Sequence, residues 1–495
     1  MKSALILYPH QLYPAHDLPK VETVVLVEEP LLFGMDRIRP VKMHKQKLIL
    51  HRASMRRYAE EVLWPAGYKT EYLDLDVFMS SEDVLERVSK VEQLYVIDPT
   101  DELLTKQILE ARRKRTDLPN LTFLSNPNFY LKEQEIRQYF SERHKHPFEE
   151  FYQWQRERFN VLIGEDYKPV GGKWSYEDDK PRKLPADAVL PSFGVFGDNK
   201  YVADAVDWVN QHYPDNPGSD EFIWPTNHAE ARAWLDDFVT NRLDDYATYL
   251  NTIDERSPWL YHSLLASSLN IGLLSPQEIV QAALDRHKKK EVPLASLESF
   301  IRQVLGWREF TRGEYLHKTA SLRAQNVFNS HRKLTSAWYN GTTGLPPLDD
   351  VIKKLQRHGY AHQHEQRVIA GNLMLLCEIQ PEQMMRWFTE LSLDTYDWTL
   401  VPNVYGMNMF TSGTSDNIPP VATSQDILEV SNYQHGDWSD IWDGLFWRFI
   451  EKHHALLAKN PHMRSTVARL SSLDADHKRI ISYRAEDFLN QHTAI

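Results

Sequence analysis

The hydrophobic rhythm of this chain changes once, and that change limits its fold more than any other feature. Up to about residue 124, short apolar or β-rich runs at residues 4–8, 23–27, 72–75, 94–97 and 121–124 alternate with amphipathic stretches at 43–64, 81–93 and 102–114. Strands alternating with helices predict a parallel, doubly wound α/β domain. From Asn227 the apolar spacing becomes helical, over 229–241, 276–288, 296–315, 349–357, 366–376, 381–391 and 438–457. Between the halves, residues 165–223 are punctuated by Pro and Gly, and only 201–211 has a helical pattern. The expected layout is an α/β domain at 1–135, a connection at 136–225 and a helical domain at 226–495.

Composition narrows the class. Hydrophobic residues at 42% and charged residues at 25% exclude a disordered chain. No apolar run approaches the roughly 18 residues that span a membrane. The start lacks a small-residue cleavage site, so a secretory leader is not expected and the cytoplasm is the default. A single cysteine, Cys377, excludes an internal disulfide and any multi-cysteine metal centre. The net charge of −12 argues against sequence-blind coating of nucleic acid, though not against a local basic face. Of 14 Trp, ten lie from Trp224 onward. They fit a large aromatic core, or else stacking on a planar cofactor and electron hopping between rings.

Several chemical motifs are absent. There is no G-x-G-x-x-G and no Walker A sequence, so neither standard nucleotide site is expected. Ligands of a doubly wound sheet sit beyond the strand ends, which here brings in residues 8–11, Glu28 and Glu29. His358, His362 and Glu365 have the i, i+4, i+7 spacing of metal ligands on one helical face, but a polar helix face near a cleft is the plainer reading. Gly413-Thr414-Ser415-Asp416 lacks the second glycine of a nucleophile elbow, and residues 409–424 have the composition of a loop. The basic runs 112–115 and 287–290 read as solvated faces or phosphate contacts.

Two stretches carry more information. Tyr261-His262-Ser263-Leu264-Leu265 precedes Asn270-Ile271-Gly272, and Phe300-Ile301-Arg302-Gln303-Val304-Leu305-Gly306-Trp307-Arg308-Glu309-Phe310 follows. A serine at a helix start offers its hydroxyl and free backbone N–H groups to a pyrophosphate.

These runs resemble the FAD-binding helices of photolyases and cryptochromes. Together with Pro169-Val170-Gly171-Gly172-Lys173-Trp174, Tyr360-Ala361-His362 and the stretch from Asp394 through Tyr396, Trp398 and Pro402-Asn403-Val404 to Gly406-Met407, they are similar to the bacterial iron–sulfur branch over nearly the whole chain. The resemblance implies an FAD folded between helices, with its pyrophosphate near His262, Ser263, Leu264 and Leu265. Asn270, Gln303, Trp307, Arg308, Arg367, Asp394, Tyr396, Leu400 and Asn403 would line the rest. A lumazine antenna would lie near Gln11 and Glu28. Electrons would reach the flavin through Trp387 and Tyr339, with Trp338 beside the latter. The implied activity is light-driven repair of UV-damaged DNA by a monomer, most directly of (6-4) pyrimidine dimers. The alternatives are a cryptochrome-like blue-light receptor without repair and a flavin-free helical adaptor.

The chain also departs from that pattern. Where the branch has four cluster cysteines, this sequence has Pro347, Gln434, a residue near Gly436, and Asp440, so no iron–sulfur cluster is expected. The branch's His-His-Ile-Gln-Arg becomes His362-Gln363-His364-Glu365-Gln366-Arg367. A one-residue bulge keeps His364 as the proton-transfer histidine, with His362 beside it. An ungapped register puts Gln363 in that place. The acid expected to face the flavin ring is Leu400.

Overall fold

The computed structural model describes residues 2–75, 80–88, 90–114, 119–143, 146–176, 182–408 and 421–495. Residues 409–420, which hold most of the expected 409–424 loop and Gly413–Asp416, lie outside the described residues, as does Arg115.

The first half forms a parallel sheet of β1 (Ser3–Leu7), β2 (Thr23–Val27), β3 (Lys69–Leu73), β4 (Gln93–Ile97) and β5 (Asn120–Leu124), in the order β3-β2-β1-β4-β5. Central strands β1 and β2 are almost wholly buried because helices cover both faces, whereas outer β3 alternates exposed and half-buried residues. That alternation hid the start of β3, of which the sequence pattern caught only the end. The crossovers include α1 (Lys45–Tyr58), α2 (Ser81–Arg87) and α3 (Glu102–Lys114). The expected 81–93 helix stops at Arg87, and a π-helical turn at Ala59–Leu63 extends α1.

The winding order of the strands reverses between β1 and β4, the crevice where a doubly wound sheet ordinarily takes its ligand. Here the helical half fills it. Leu12 N–H donates to the Ile271 carbonyl at 2.9 Å, and Arg312 reaches Asp98 at 3.4 Å. Gly272 adopts φ +88, and a Cβ there would lie 2.7 Å from the Tyr13 ring, so this contact needs the glycine.

The helical half is one connected core with the sheet. Residues 136–225, expected to be a connection with one helix over 201–211, hold that helix and further packed helices besides. Glu133–Ser141 and Phe148–Phe159 form a satellite core in which Phe140, Phe148 and Phe151 meet Phe310. Lys200–His212 lies along α1 through Trp208, whose ring carries the Arg52 guanidinium at 4.1 Å. The expected 296–315 helix is longer: Leu294–Ile301, a π-helical turn at Arg302–Trp307, then Arg308–Arg323. The 438–457 helix breaks at His453 into Asp437–Lys452 and His454–Leu457.

Candidate functional site

A cavity of about 440 Å³ opens within the helical half. Its first wall is the turn His262–Leu265. Leu264 sits there at φ 60°, a left-handed conformation that costs a branched residue energy and marks a constrained site. Ser263 Oγ accepts the Leu265 N–H at 3.5 Å.

The other walls use irregular helix. Among the described residues four π-helical segments occur, and three of them line this cavity: Arg302–Trp307, Glu365–Gly371 and Pro402–Asn408. A π turn inserts one residue and rotates the following side chains, which is why such turns gather at functional sites. The first presents Gln303 and Trp307, with Arg308 just beyond; the second presents Gln366 and Arg367; the third presents Asn403. The second turn overlaps the end of the 362–367 segment, and both Gln363 and His364 reach the wall. Asp394 and Leu400 complete it.

Electrostatics set this wall apart from an ordinary core. Arg308 donates to Asn270 Oδ1 at 2.6 Å, and its guanidinium lies between the rings of Phe129 and Trp398 at 4.9 and 4.8 Å. Burial pulls it down to about 10, so it stays charged at neutral pH. Burial also raises Asp394 to about 6, against the pull of Lys47. Three histidine rings stack: His262 on His362 at 4.5 Å, and His362 near His364 at 6.4 Å. Burial and then neighbouring positive groups hold all three neutral, with His364 lowered to about 3. Buried His262 Nε2, His364 Nδ1 and Arg308 Nε have no hydrogen-bond partner within the protein. Unsatisfied polar atoms around a cavity are expensive unless a ligand completes them. A polar, anionic, partly aromatic ligand such as FAD fits this donor set.

Not every expected residue reaches the wall. His362 stands one layer behind it, with its main-chain N–H on Glu365 at 3.3 Å. Tyr396 is also behind it, donating its hydroxyl to His51 Nε2 at 2.9 Å. His358 is separated from His362 by the helix stop at Gly359 and packs on Trp259 at 4.6 Å, so these residues share no helical face. Among the described residues no group of three His, Cys, Asp or Glu could hold a metal ion. Trp387 and Trp338 are fully buried; Trp387 Nε1 donates to the Trp338 carbonyl at 2.8 Å, and its ring lies 5.0 Å from Phe388 on the wall. Tyr339 donates to Glu390 at 2.8 Å.

Gln11 and Glu28, expected beside a second chromophore, are instead spent on the protein. Gln11 Nε2 donates to the Ile97 and Asp98 carbonyls at 2.9 and 3.3 Å, and its Oε1 accepts from Tyr8 N–H at 3.3 Å. Glu28 accepts from Arg52 at 2.6 Å, Tyr72 at 2.7 Å and Leu75 N–H at 3.1 Å. The sequence reading also missed wall residues. Trp398 stood inside a quoted motif without a role, and Phe388 adjoins Trp387; Tyr246 carries no local signal.

Comparisons with known proteins agree with this geometry. Residues 5–224 match the family described as deoxyribodipyrimidine photo-lyase-related protein, and residues 294–433 match the FAD binding domain of DNA photolyase. The chain is 26% identical over 496 residues to a (6-4) photolyase of Agrobacterium fabrum, covering 95% of each. Its fold is similar to a bacterial class III photolyase from Agrobacterium tumefaciens (TM-score 0.56, 16% identity, 99% and 98% of the two chains covered). It is also similar to a Synechocystis cryptochrome (TM-score 0.58, 14% identity, 99% of each covered). Its parallel sheet, its helical flavin-site motifs and both family matches place this chain in the photolyase/cryptochrome family.

Proposed function

We propose that this chain is a light-driven, FAD-dependent photolyase acting on UV-damaged DNA, with the (6-4) pyrimidine dimer as its lesion. The observation that carries the reading is the polar cavity ringed by three π-helical turns, within the half that matches a flavin-binding family. In this division residues 226–495 hold flavin and lesion, 136–225 connect and brace, and 1–135 form the α/β body.

Arg308 and the His262–Leu265 turn would hold the anionic part of FAD, while Gln303, Asp394 and Asn403 offer hydrogen bonds to its polar edges. When bound and reduced, the flavin supplies an electron on excitation. Phe388 and Trp387 form a buried aromatic contact behind the wall by which electrons could be replenished, with Trp338 and Tyr339 beyond. A lesion flipped out of the duplex would enter the same cavity. His364, on the cavity wall, would hold a proton there. Burial keeps it neutral in the free protein, and the negative charges of cofactor and nucleic acid would draw its proton affinity back toward neutral pH.

No iron–sulfur cluster is proposed, because the sequence has one cysteine. Around the aligned positions, Tyr433 donates to Asp350 at 2.6 Å and Trp438 Nε1 to the Gln434 carbonyl at 2.8 Å. Metal analysis for stoichiometric iron and sulfide tests this. A lumazine antenna would have to use groups other than the polar atoms Gln11 and Glu28 already commit, and extraction of a second chromophore from purified protein decides it.

A cryptochrome-like receptor without repair is the second reading. Aliphatic Leu400 on the wall, where the family resemblance calls for an acid, favours it. The deciding experiment illuminates flavin-loaded protein with oligonucleotides carrying a (6-4) or a cyclobutane lesion. We expect (6-4) repair, lost by about 10²–10⁴-fold in His364→Ala with flavin retained. Flavin without repair of either lesion selects the receptor, and purified protein that takes up no FAD overturns both.

A further inference from the structure

Lys47 belongs to α1 of the α/β half, yet it ends against the cavity wall of the helical half. Its residue is 2% exposed. Its Nζ donates to the Thr395 carbonyl and lies 4.7 Å from the centre of the Tyr396 ring. Thr395 and Asp394 both line the cavity, and the Asp394 main-chain carbonyl accepts from Asn270 Nδ2 at 2.8 Å. A buried lysine needs an opposite charge. Asp394 is the group that most favours the Lys47 ammonium, and Lys47 is the side chain that most favours the Asp394 carboxylate.

We infer that Lys47 is a positioning residue for the flavin: from the neighbouring domain it supplies the positive charge that keeps Asp394 an ionised acceptor on the cavity wall. The inference rests on the cavity being the FAD site. An ionised carboxylate only accepts hydrogen bonds, whereas a protonated one donates from one oxygen. The flavin ring presents an N–H between two carbonyls and the ribityl chain presents hydroxyls, so the charge on Asp394 decides which edges it can hold.

The surrounding charges are consistent with this division of labour. Burial lowers Lys47 to about 7 and raises Asp394 to about 6, each held from moving further by the other. Arg39 opposes the Lys47 charge, and the Lys47 charge in turn disfavours protonation of buried His10 and His51. Tyr360 and Tyr396 face Asp394, and Arg367 shares its wall. Between about pH 6 and 7 the native protein holds both charges, and above that the lysine discharges while Asp394 stays ionised. Without the lysine its proton affinity rises, so a larger share of it is protonated at neutral pH.

The test is a double-mutant cycle read by equilibrium dialysis of FAD, at pH 7 and pH 9. It uses wild type, Lys47→Met, Lys47→Gln, Asp394→Asn and the Lys47→Met/Asp394→Asn pair, with Lys47→Arg as the charge-keeping control. Both Lys47 variants should bind FAD about tenfold or more weakly at pH 7. Binding should recover at pH 9, where Asp394 ionises again, and Lys47→Arg should retain it throughout. In the Asp394→Asn background, Lys47→Met should change affinity less than about twofold. The inference is overturned by unchanged binding in the Lys47 variants, or by an equal, pH-independent loss in both backgrounds, which marks a structural role. Lys47→Gln keeps a hydrogen-bond donor should Lys47→Met not fold. Wild type that binds no FAD at either pH refutes the flavin reading, whereas wild-type binding with unaffected variants refutes the lysine inference alone.

Discussion

The strand ends of the α/β half and the cavity of the helical half are both lined with buried polar side chains, but only the second group surrounds an open space. At the strand ends Glu28 is met by Arg52, Tyr72 and a backbone N–H, and Gln11 by three backbone groups, while His10 Nδ1 and Glu29 Oε2 stay unpartnered in close packing. In the cavity His262, His364 and Arg308 each keep a buried nitrogen without a partner. Polar groups that satisfy one another hold domains together; polar groups left open around a space await a ligand. Neither burial nor the hydrogen-bond inventory alone separates the two regions; the cavity beside the unpartnered nitrogens does.

Acid should separate them most strongly. Burial lowers His10, His44 and His51 on the α/β side, and His262, His362 and His364 on the cavity side. Below pH 6.5 the unfolded chain takes up protons that the folded chain refuses, so stability falls as pH drops. Each histidine contributes about 1.4 kcal/mol per pH unit until its folded pKa is reached. Bound FAD, being anionic, should spare only the cavity set. Melting temperatures between pH 7.5 and 5 should therefore fall less in flavin-loaded protein than in stripped protein. Parallel curves would place these histidines away from the cofactor.

Arg52→Met strips Glu28 of its ion-pair partner while leaving it buried. Such losses cost about 3–5 kcal/mol, readable by urea unfolding. The folded fraction should still bind FAD with wild-type affinity, and weakened flavin binding would erase the distinction drawn above.

Arg308→Ala acts on the cavity region. Loss of a charged hydrogen bond of roughly 1.5–3 kcal/mol predicts about ten- to hundredfold weaker FAD retention on dilution. Full occupancy in that variant would move the phosphates elsewhere.

The smallest effect belongs to Tyr396→Phe. Its hydroxyl serves His51 behind the wall, so about 1 kcal/mol of stability should be lost with flavin affinity unchanged. A change in flavin affinity comparable to that of Arg308→Ala would return Tyr396 to the wall.

Much of this was legible before the fold. The period change near residue 227 separated sheet from helices, because side-chain periodicity follows backbone geometry directly. The His262–Leu265 and Phe300–Phe310 runs located two cavity walls, since motif residues there are neighbours in sequence as well as in space. Tyr396 was misplaced by the same logic, because sharing a motif with Asp394 and Asn403 says nothing about which layer a side chain occupies.

What the sequence by itself determined is local: where strands and helices run, the absence of a cysteine set able to bind a cluster, and the chemical types near the flavin motifs. Only the tertiary structure decided that Glu28 and Gln11 are spent, that His358 parts from His362, and that Lys47 meets a wall 348 positions away through Thr395. The reason is physical. Whether a polar group is paired, and at what charge, depends on the dielectric and the partners around it. Those partners come from distant segments, so in a helix such as α1 a lysine reads as a solvated surface residue until packing buries it.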